Sequence, residues 1–300
     1  MRCLTVLVAT ALATGCQVLA SDPSPSLAHI TLNGAEISYV AEGSGETLVF
    51  VHGPALDWRS GEGLRPLLAP RYRFVAYSRR HHFPNAWPDD GRTYTIAQHV
   101  EDLAALIRAL GAKKAHLVGV SLGGRIVAET VVAHPELVAS AVISDSFTVL
   151  AVTPENQAVM QAFFGQAEPM RAALKAGDAL RAAQALFEWE SNAPGAWSAL
   201  DERRRREFID NAATLLLVVA DAGLDRRPTC DTLARTSVPV LVLDEAEIPL
   251  AVRLMNSALH ACLPASAKQA RLPNVGHFWY IDRPREGANA ILRFVAQHPV

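Results

Sequence analysis

Residues 114–124 read Lys114-Ala115-His116-Leu117-Val118-Gly119-Val120-Ser121-Leu122-Gly123-Gly124, an apolar run of strand character that ends in G-x-S-x-G and passes directly into a helical pattern. The reason for the glycines is steric. A turn this sharp holds Ser121 in a strained conformation with its hydroxyl outward, and a side chain at 119 or 123 would collide with neighbouring backbone. The helix that follows brings the positive end of its dipole to any oxyanion formed beside the serine. G-x-S-x-G alone is only moderately specific, but a strand before it and a helix after it are the context that marks a nucleophile elbow.

Outward from the elbow, short β-type runs alternate with longer helical ones from His29 onward, the signature of a mostly parallel sheet covered by helices. The pattern predicts eight strands: Ile30–Leu32, Ile37–Ala41, Thr47–His52, Phe74–Ser78, Ala115–Val120, Ala139–Ser144, Val238–Leu243 and Ala267–Leu272. Helices are expected at Thr95–Leu110, stopped by Gly111, and at Leu122–His134, Pro249–Cys262 and Pro284–Gln297. Between Phe147 and Thr236 the strand signal disappears, and Ala-rich stretches at Met170–Trp189 and Asp201–Ala222 take its place. This predicts a helical cap over 148–235, inserted into a core of 27–147 and 236–300. The Arg203–Arg206 run lies among Asp201, Glu202, Glu207 and Asp210, so it reads as a solvated helix face and not as a basic patch.

A chain of 300 residues with 50% hydrophobic and 19% charged content can bury a full core, which excludes a disordered tail or a coiled coil. Its net charge of -2 gives no electrostatic case for nucleic acid. Four cysteines without paired C-x-x-C spacing exclude a zinc ribbon and a disulfide-dense scaffold. Residues 1–20 have the layout of a secretory signal: Arg2, an apolar run from Leu4 to Leu12, then small residues. The run is diluted by Thr10, Thr14 and Gln17, so no transmembrane helix is expected in the mature chain. Val18-Leu19-Ala20 resembles a leader-peptidase site, which predicts a secreted or periplasmic protein. Ala13-Thr14-Gly15-Cys16 resembles a poor lipobox, and a cut there would leave Cys16 lipidated as a membrane tether. In an oxidising compartment Cys230 and Cys262 can bridge, or they can stay as two buried thiols.

With its elbow, the chain resembles the α/β-hydrolase superfamily from about Ile30 to the C-terminus. Val49-Phe50-Val51-His52-Gly53 looks like that family's third strand and oxyanion loop. Asn274-Val275-Gly276-His277 looks like the loop that delivers its catalytic histidine. The resemblance implies an α/β-hydrolase fold with Ser121 as nucleophile and His277 as the base that removes its proton at neutral pH. The acid usually follows the seventh strand, where Ile248 occupies the expected position and Glu247 stands beside it. A branch best known among haloalkane dehalogenases carries it after the sixth strand, where this chain has Asp145. We expect Asp145, because its strand must end beside the one bearing Ser121, with Glu247 as the alternative.

Two departures bear on activity. The oxyanion hole should use the N–H groups of Leu122 and of the residue after His52-Gly53, but that residue is Pro54, which has no N–H. Either Ala55 donates in its place or the hole has one donor fewer. After the fourth strand the family's D-x-R-G-x-G is replaced by Ser78-Arg79-Arg80-His81-His82-Phe83-Pro84. His52, Gly53, His82, Phe83 and Trp189 are expected around the substrate, with Trp58, Trp87, Phe163 and Phe164 as further wall candidates. His81 and His82 are adjacent on an extended segment without partners at ligand spacing, so no metal is expected there. The expected function is cofactor-free hydrolysis of a carboxylic ester of a small to medium apolar substrate. A lactonase, a C–C bond hydrolase or a haloperoxidase would use the same triad. Pro54 and the empty usual acid position also admit a weakly active or non-catalytic small-molecule binding protein on this scaffold.

Overall fold

The computed structural model describes residues 26–150, 152–220 and 227–300, so the expected leader, Cys16 and the expected cut sites lie outside it. The described residues form an eight-stranded sheet from β1 (Ala28–Leu32), β2 (Ala35–Glu42), β3 (Thr47–Val51), β4 (Arg73–Tyr77), β5 (Ala115–Val120), β6 (Val138–Ser144), β7 (Val240–Glu245) and β8 (Lys268–Leu272). Its spatial order is β1-β2-β4-β3-β5-β6-β7-β8. β2 runs antiparallel to β1 and β4, and the remaining pairs are parallel. Strands β3, β5 and β7 are buried at every residue, as expected where helices cover both faces.

The helices are α1 (Arg65–Leu68), α2 (Ile96–Ala109), α3 (Leu122–Ala133), α4 (Gln157–Gly165), α5 (Glu168–Lys175), α6 (Ala179–Glu190), α7 (Glu202–Asn211), α8 (Thr214–Ala220), α9 (Cys230–Leu233), α10 (Leu250–Cys262), α11 (Trp279–Asp282) and α12 (Pro284–Val295). Thr95 caps α2 by accepting from the Gln98 N–H, and Gly111 follows its end at φ +73. One apolar cluster joins α2 and α3 to one sheet face, with Leu103, Ile107, Ile126 and Val131 packed on Val49, Leu117 and Val242. A second, around Phe50, Phe74, Trp279 and Ile291, fills the opposite face.

Helices α4 to α9 lie between β6 and β7. The stretch expected as one helix over Met170–Trp189 is two, α5 and α6. Gly177 breaks it at φ +73, and the Asp178 carboxylate accepts from the Arg181 N–H to start the second. The stretch expected over Asp201–Ala222 likewise divides into α7 and α8, its last two residues lying outside the described part. Asp201 caps α7, and the Thr214 hydroxyl donates to Asn211 O where α7 gives way to α8.

A buried polar junction fastens α7 to the loop after β3. Asp57 Oδ2 accepts from Asn211 Nδ2 at 2.7 Å, Glu207 Oε1 accepts from the Asp57 N–H at 3.1 Å, and the Arg59 guanidinium bridges Asp57 to Asp210. Cys230 in α9 and Cys262 in α10 form a disulfide with Cα atoms 4.6 Å apart, which fastens the other end of the insertion. No helix among the described residues is long and apolar enough to cross a membrane.

Candidate active site

Ser121 stands at φ 56, ψ -126, between the last residue of β5 and the first of α3. The neighbouring glycines are obligatory at this packing. A Cβ at Gly119 would sit 2.4 Å from Gly123 O, and one at Gly123 would sit 2.1 Å from Val51 O. Ser121 and Asp145 are adjacent because Val120 pairs with Ser144 in the parallel ladder, and each residue is the next along its strand. The Ser121 N–H donates to Ser144 O at 2.9 Å, tying the two strand ends together.

His277 lies on the loop between β8 and α11, and its Nδ1 stands 3.0 Å from Asp145 Oδ2. A proton on Nδ1 satisfies that contact and leaves Nε2 as the acceptor of the neutral ring. Asn256 on α10 donates to the other Asp145 oxygen at 2.8 Å. Burial would push the Asp145 carboxyl up, but the hydrogen bond and charge of His277 outweigh it and hold the group below its ordinary range. Behind Asp145, burial and the Asp145 charge push the Glu245 carboxyl well up, so it is neutral beside the Asp145 carboxylate. Ser144 Oγ donates to Glu245 and accepts from Trp279 Nε1 at 3.0 Å, which completes the support. Glu247 is exposed and turns its backbone N–H to Val275 O, so the structure brings Asp145, and not Glu247, to His277.

Ser121 opens on a cavity of about 220 Å³. Pro54 and Leu122 line it on the core side, while Phe147, Phe164, Met170, Leu186, Trp189 and Leu215 make it predominantly apolar. Its polar groups besides Ser121 are Ser146, Arg125, Glu190 and Arg227. Arg125 Nε pairs with Glu129 at 2.9 Å, and an Arg227 guanidinium N–H donates to Phe147 O.

Glu190, the last residue of α6, was not singled out by sequence reasoning. Its Oε1 accepts from Ser121 Oγ at 3.5 Å, and its Oε2 lies 3.7 Å from His277 Nε2, so one carboxyl faces both nucleophile and base. Among the described residues His277 Nε2 itself has no hydrogen-bond partner. Burial outweighs the attraction of His277 and the Ser121 hydrogen bond, and raises the Glu190 carboxyl to about 7. In turn, burial would lower the His277 pKa, but the charges of Glu190 and Asp145 and the Asp145 hydrogen bond raise it above its ordinary value. Sequence did carry a signal: Leu186, Trp189 and Glu190 share one helix face at i, i+3 and i+4, which places an acid on the apolar side of α6.

Four expected pocket residues are not among those lining the cavity. His52 is fully buried, with Nδ1 donating to Gly53 O at 2.8 Å and Nε2 accepting from the Arg79 N–H at 3.1 Å. His82 likewise supports the loop, through Leu56 O at 2.6 Å and Tyr94 Oη at 3.0 Å. Burial first and the Arg79 charge second hold both imidazoles well below their ordinary pKa, so they are neutral struts. Phe83 is 41% exposed, beneath the Arg59 guanidinium. The reason is that the chain after β4 turns back under the β3 loop, where the Asn85 amide donates to Ser78 O and Arg79 O. Gly53 lies against the nucleophile, and a Cβ there would stand 3.4 Å from Ser121 Cβ. Of the wall candidates, Trp189 and Phe164 reach the cavity, whereas Trp58, Trp87 and Phe163 do not line it. Leu122 opens α3, so its N–H has no partner within the helix, and Ala55 stands at φ 51 directly after Pro54.

A model of the alpha/beta hydrolase family matches residues 48–290. Among curated proteins, the 2-hydroxy-6-oxo-6-(2'-aminophenyl)hexa-2,4-dienoic acid hydrolase of Metapseudomonas resinovorans is 25% identical over 89% of this chain and 90% of its own. Among solved structures, the enol-lactonase of Burkholderia xenovorans LB400 superposes with a TM-score of 0.74 at 18% identity, covering 90% of this chain and all of its own. The carboxylesterase CesB of Bacillus subtilis does so with a TM-score of 0.72 at 17% identity, covering 91% and 92%.

Proposed function

The chain belongs to the alpha/beta hydrolase family, and we propose that it is an exported serine hydrolase that cleaves a carboxylic ester of a small, largely apolar substrate. The observation that carries this reading is the 3.0 Å His277–Asp145 contact set beside an elbow serine that opens on an apolar cavity. Ser121 Oγ attacks the ester carbonyl while His277 Nε2 takes its proton, and Asp145 holds the imidazole and stabilises the imidazolium. The N–H of Leu122 receives the developing oxyanion, and the left-handed turn at Ala55 supplies the second donor that Pro54 lacks. His277 returns the proton to the leaving alcohol, and water then attacks the acyl-enzyme by the same route in reverse. Helices α4 to α9 act as the cap that excludes bulk water.

Lactones are the second substrate class to assay, since the same acyl transfer opens them. The leader pattern supports export to an oxidising compartment, and the Cys230–Cys262 bond is consistent with it. The first experiment is the intact mass of purified mature protein before and after a fluorophosphonate probe, with Ser121→Ala as control. A single adduct that disappears in the variant is the expected result. No adduct on folded protein would overturn the reading in favour of a binding protein on a hydrolase scaffold. The starting mass reads the leader cut directly, and retention of residues 1–20 would sink the export assignment.

A further inference from the structure

We propose that Glu190 sets substrate choice at this site, by accepting from a protonated amine carried a few bonds from the scissile carbonyl and by turning away esters that bring a carboxylate there. The inference rests on the hydrolase reading above and names the substrate class.

Three observations support it. The Glu190 side chain is 6% exposed, faces the cavity, and reaches Ser121 Oγ and His277 Nε2 only at 3.5 and 3.7 Å. Those contacts are long for a buried carboxyl, which is stabilised by short, charge-assisted bonds. An ammonium group seated between Glu190 and the apolar wall of Trp189 and Leu186 would supply one. The charged and titratable groups around Glu190 are His277 with Asp145 behind it, Ser121, and the buried Tyr280. Arg125 and Arg227 line the same cavity, but each is already engaged, with Glu129 and with Phe147 O. Glu190 is therefore the group of the cavity that faces the reacting atoms with a carboxyl to offer. An amine that takes Glu190 also relieves its pull on His277, whose Nε2 is then released as the neutral base.

The test is a matched series: methyl butanoate, methyl 3-aminopropanoate, in which a terminal ammonium replaces the methyl group, and monomethyl succinate, assayed by product release. Wild type should favour the amino ester over monomethyl succinate by roughly tenfold to a hundredfold in kcat/KM, the scale of one hydrogen bond to a charged group. In Glu190→Gln that ratio should fall to within about threefold. In wild type the ratio of amino ester to butanoate should rise between pH 6 and 8, as the carboxyl that titrates at about 7 ionises. Glu190→Gln should show no such rise. Because each ratio is internal to one protein, a partly unfolded variant does not mimic the effect. Equal ratios in wild type and variant, or a wild-type preference for monomethyl succinate through the arginines, would overturn the proposal while leaving the hydrolase reading intact. No turnover of any ester, with no fluorophosphonate adduct, would overturn both.

Discussion

The side of the site that carries Ser121, Asp145 and His277 hangs from strand ends, whereas the cavity wall that carries Trp189 and Glu190 hangs from helix α6. On the first side, positions follow from ladder register: Val120 opposite Ser144 leaves the next residues, Ser121 and Asp145, side by side. On the second, position follows from packing. Trp189 packs on Phe147 and Phe163 with ring centroids 6.2 and 5.0 Å away, and Glu190 is carried wherever that cluster settles. Under the proposed function, the contrast gives the bond-breaking chemistry to the sheet and the choice of substrate to the insertion.

Substitutions can break or sharpen this division. The largest effect is expected from Ser121→Ala, with kcat falling by about a millionfold and thermal unfolding little changed. A variant that kept more than a hundredth of wild-type turnover would remove the sheet's claim to the chemistry. Asp145→Asn should lower kcat on the order of ten-thousandfold, while Glu247→Gln should leave it within about twofold of wild type. Comparable losses in both would mean that the exposed acid moves inward during turnover. Replacing Cys230 and Cys262 together with alanine releases a loop of 32 residues in sequence separation and should cost about 4 kcal/mol of stability in denaturant unfolding, with kcat retained at moderate temperature. Loss of activity in the still-folded double variant would tie the chemistry to the seating of the insertion.

The smallest effect concerns the acid limb of kcat/KM on methyl butanoate. Glu190 is the foremost group raising the His277 pKa against its burial. A raised pKa means that base function appears only at higher pH, so Glu190→Gln should move the limb to lower pH. An unmoved limb would show that the two sides do not communicate electrostatically.

The same contrast explains what could be read from the sequence. Strand positions and the elbow were legible because short apolar runs and the G-x-S-x-G spacing are local properties of the chain. Asp145 followed from the rule that adjacent parallel strands end together. Glu190 was not legible as part of the site. Its helix face was visible in the Leu186-Trp189-Glu190 spacing, but what that face meets depends on where α6 lands. The break at Gly177-Asp178 was written in the sequence as a stop followed by a cap, and alanine content on both sides masked it. His52 and His82 misled for the opposite reason. Their placement in the chain matched a pocket loop, yet each imidazole is spent on backbone groups beneath it, which only the fold of residues 79–85 determines.

The junction of Asp57, Arg59, Glu207, Asp210 and Asn211 has a mechanical consequence. Separating α7 from the β3 loop would break the Arg59–Asp210 ion pair and part Asp57 from the Asn211 amide and the Glu207 carboxyl, each loss on the order of 1–3 kcal/mol. Helix α4 instead meets α10 through Met160, Phe163, Val252 and Met255, apolar contacts that can slide without leaving a charge unmatched. The insertion is thus held to the core by polar contacts at α7 and a covalent link at α9, and by apolar packing at α4, whose Phe164 lines the cavity.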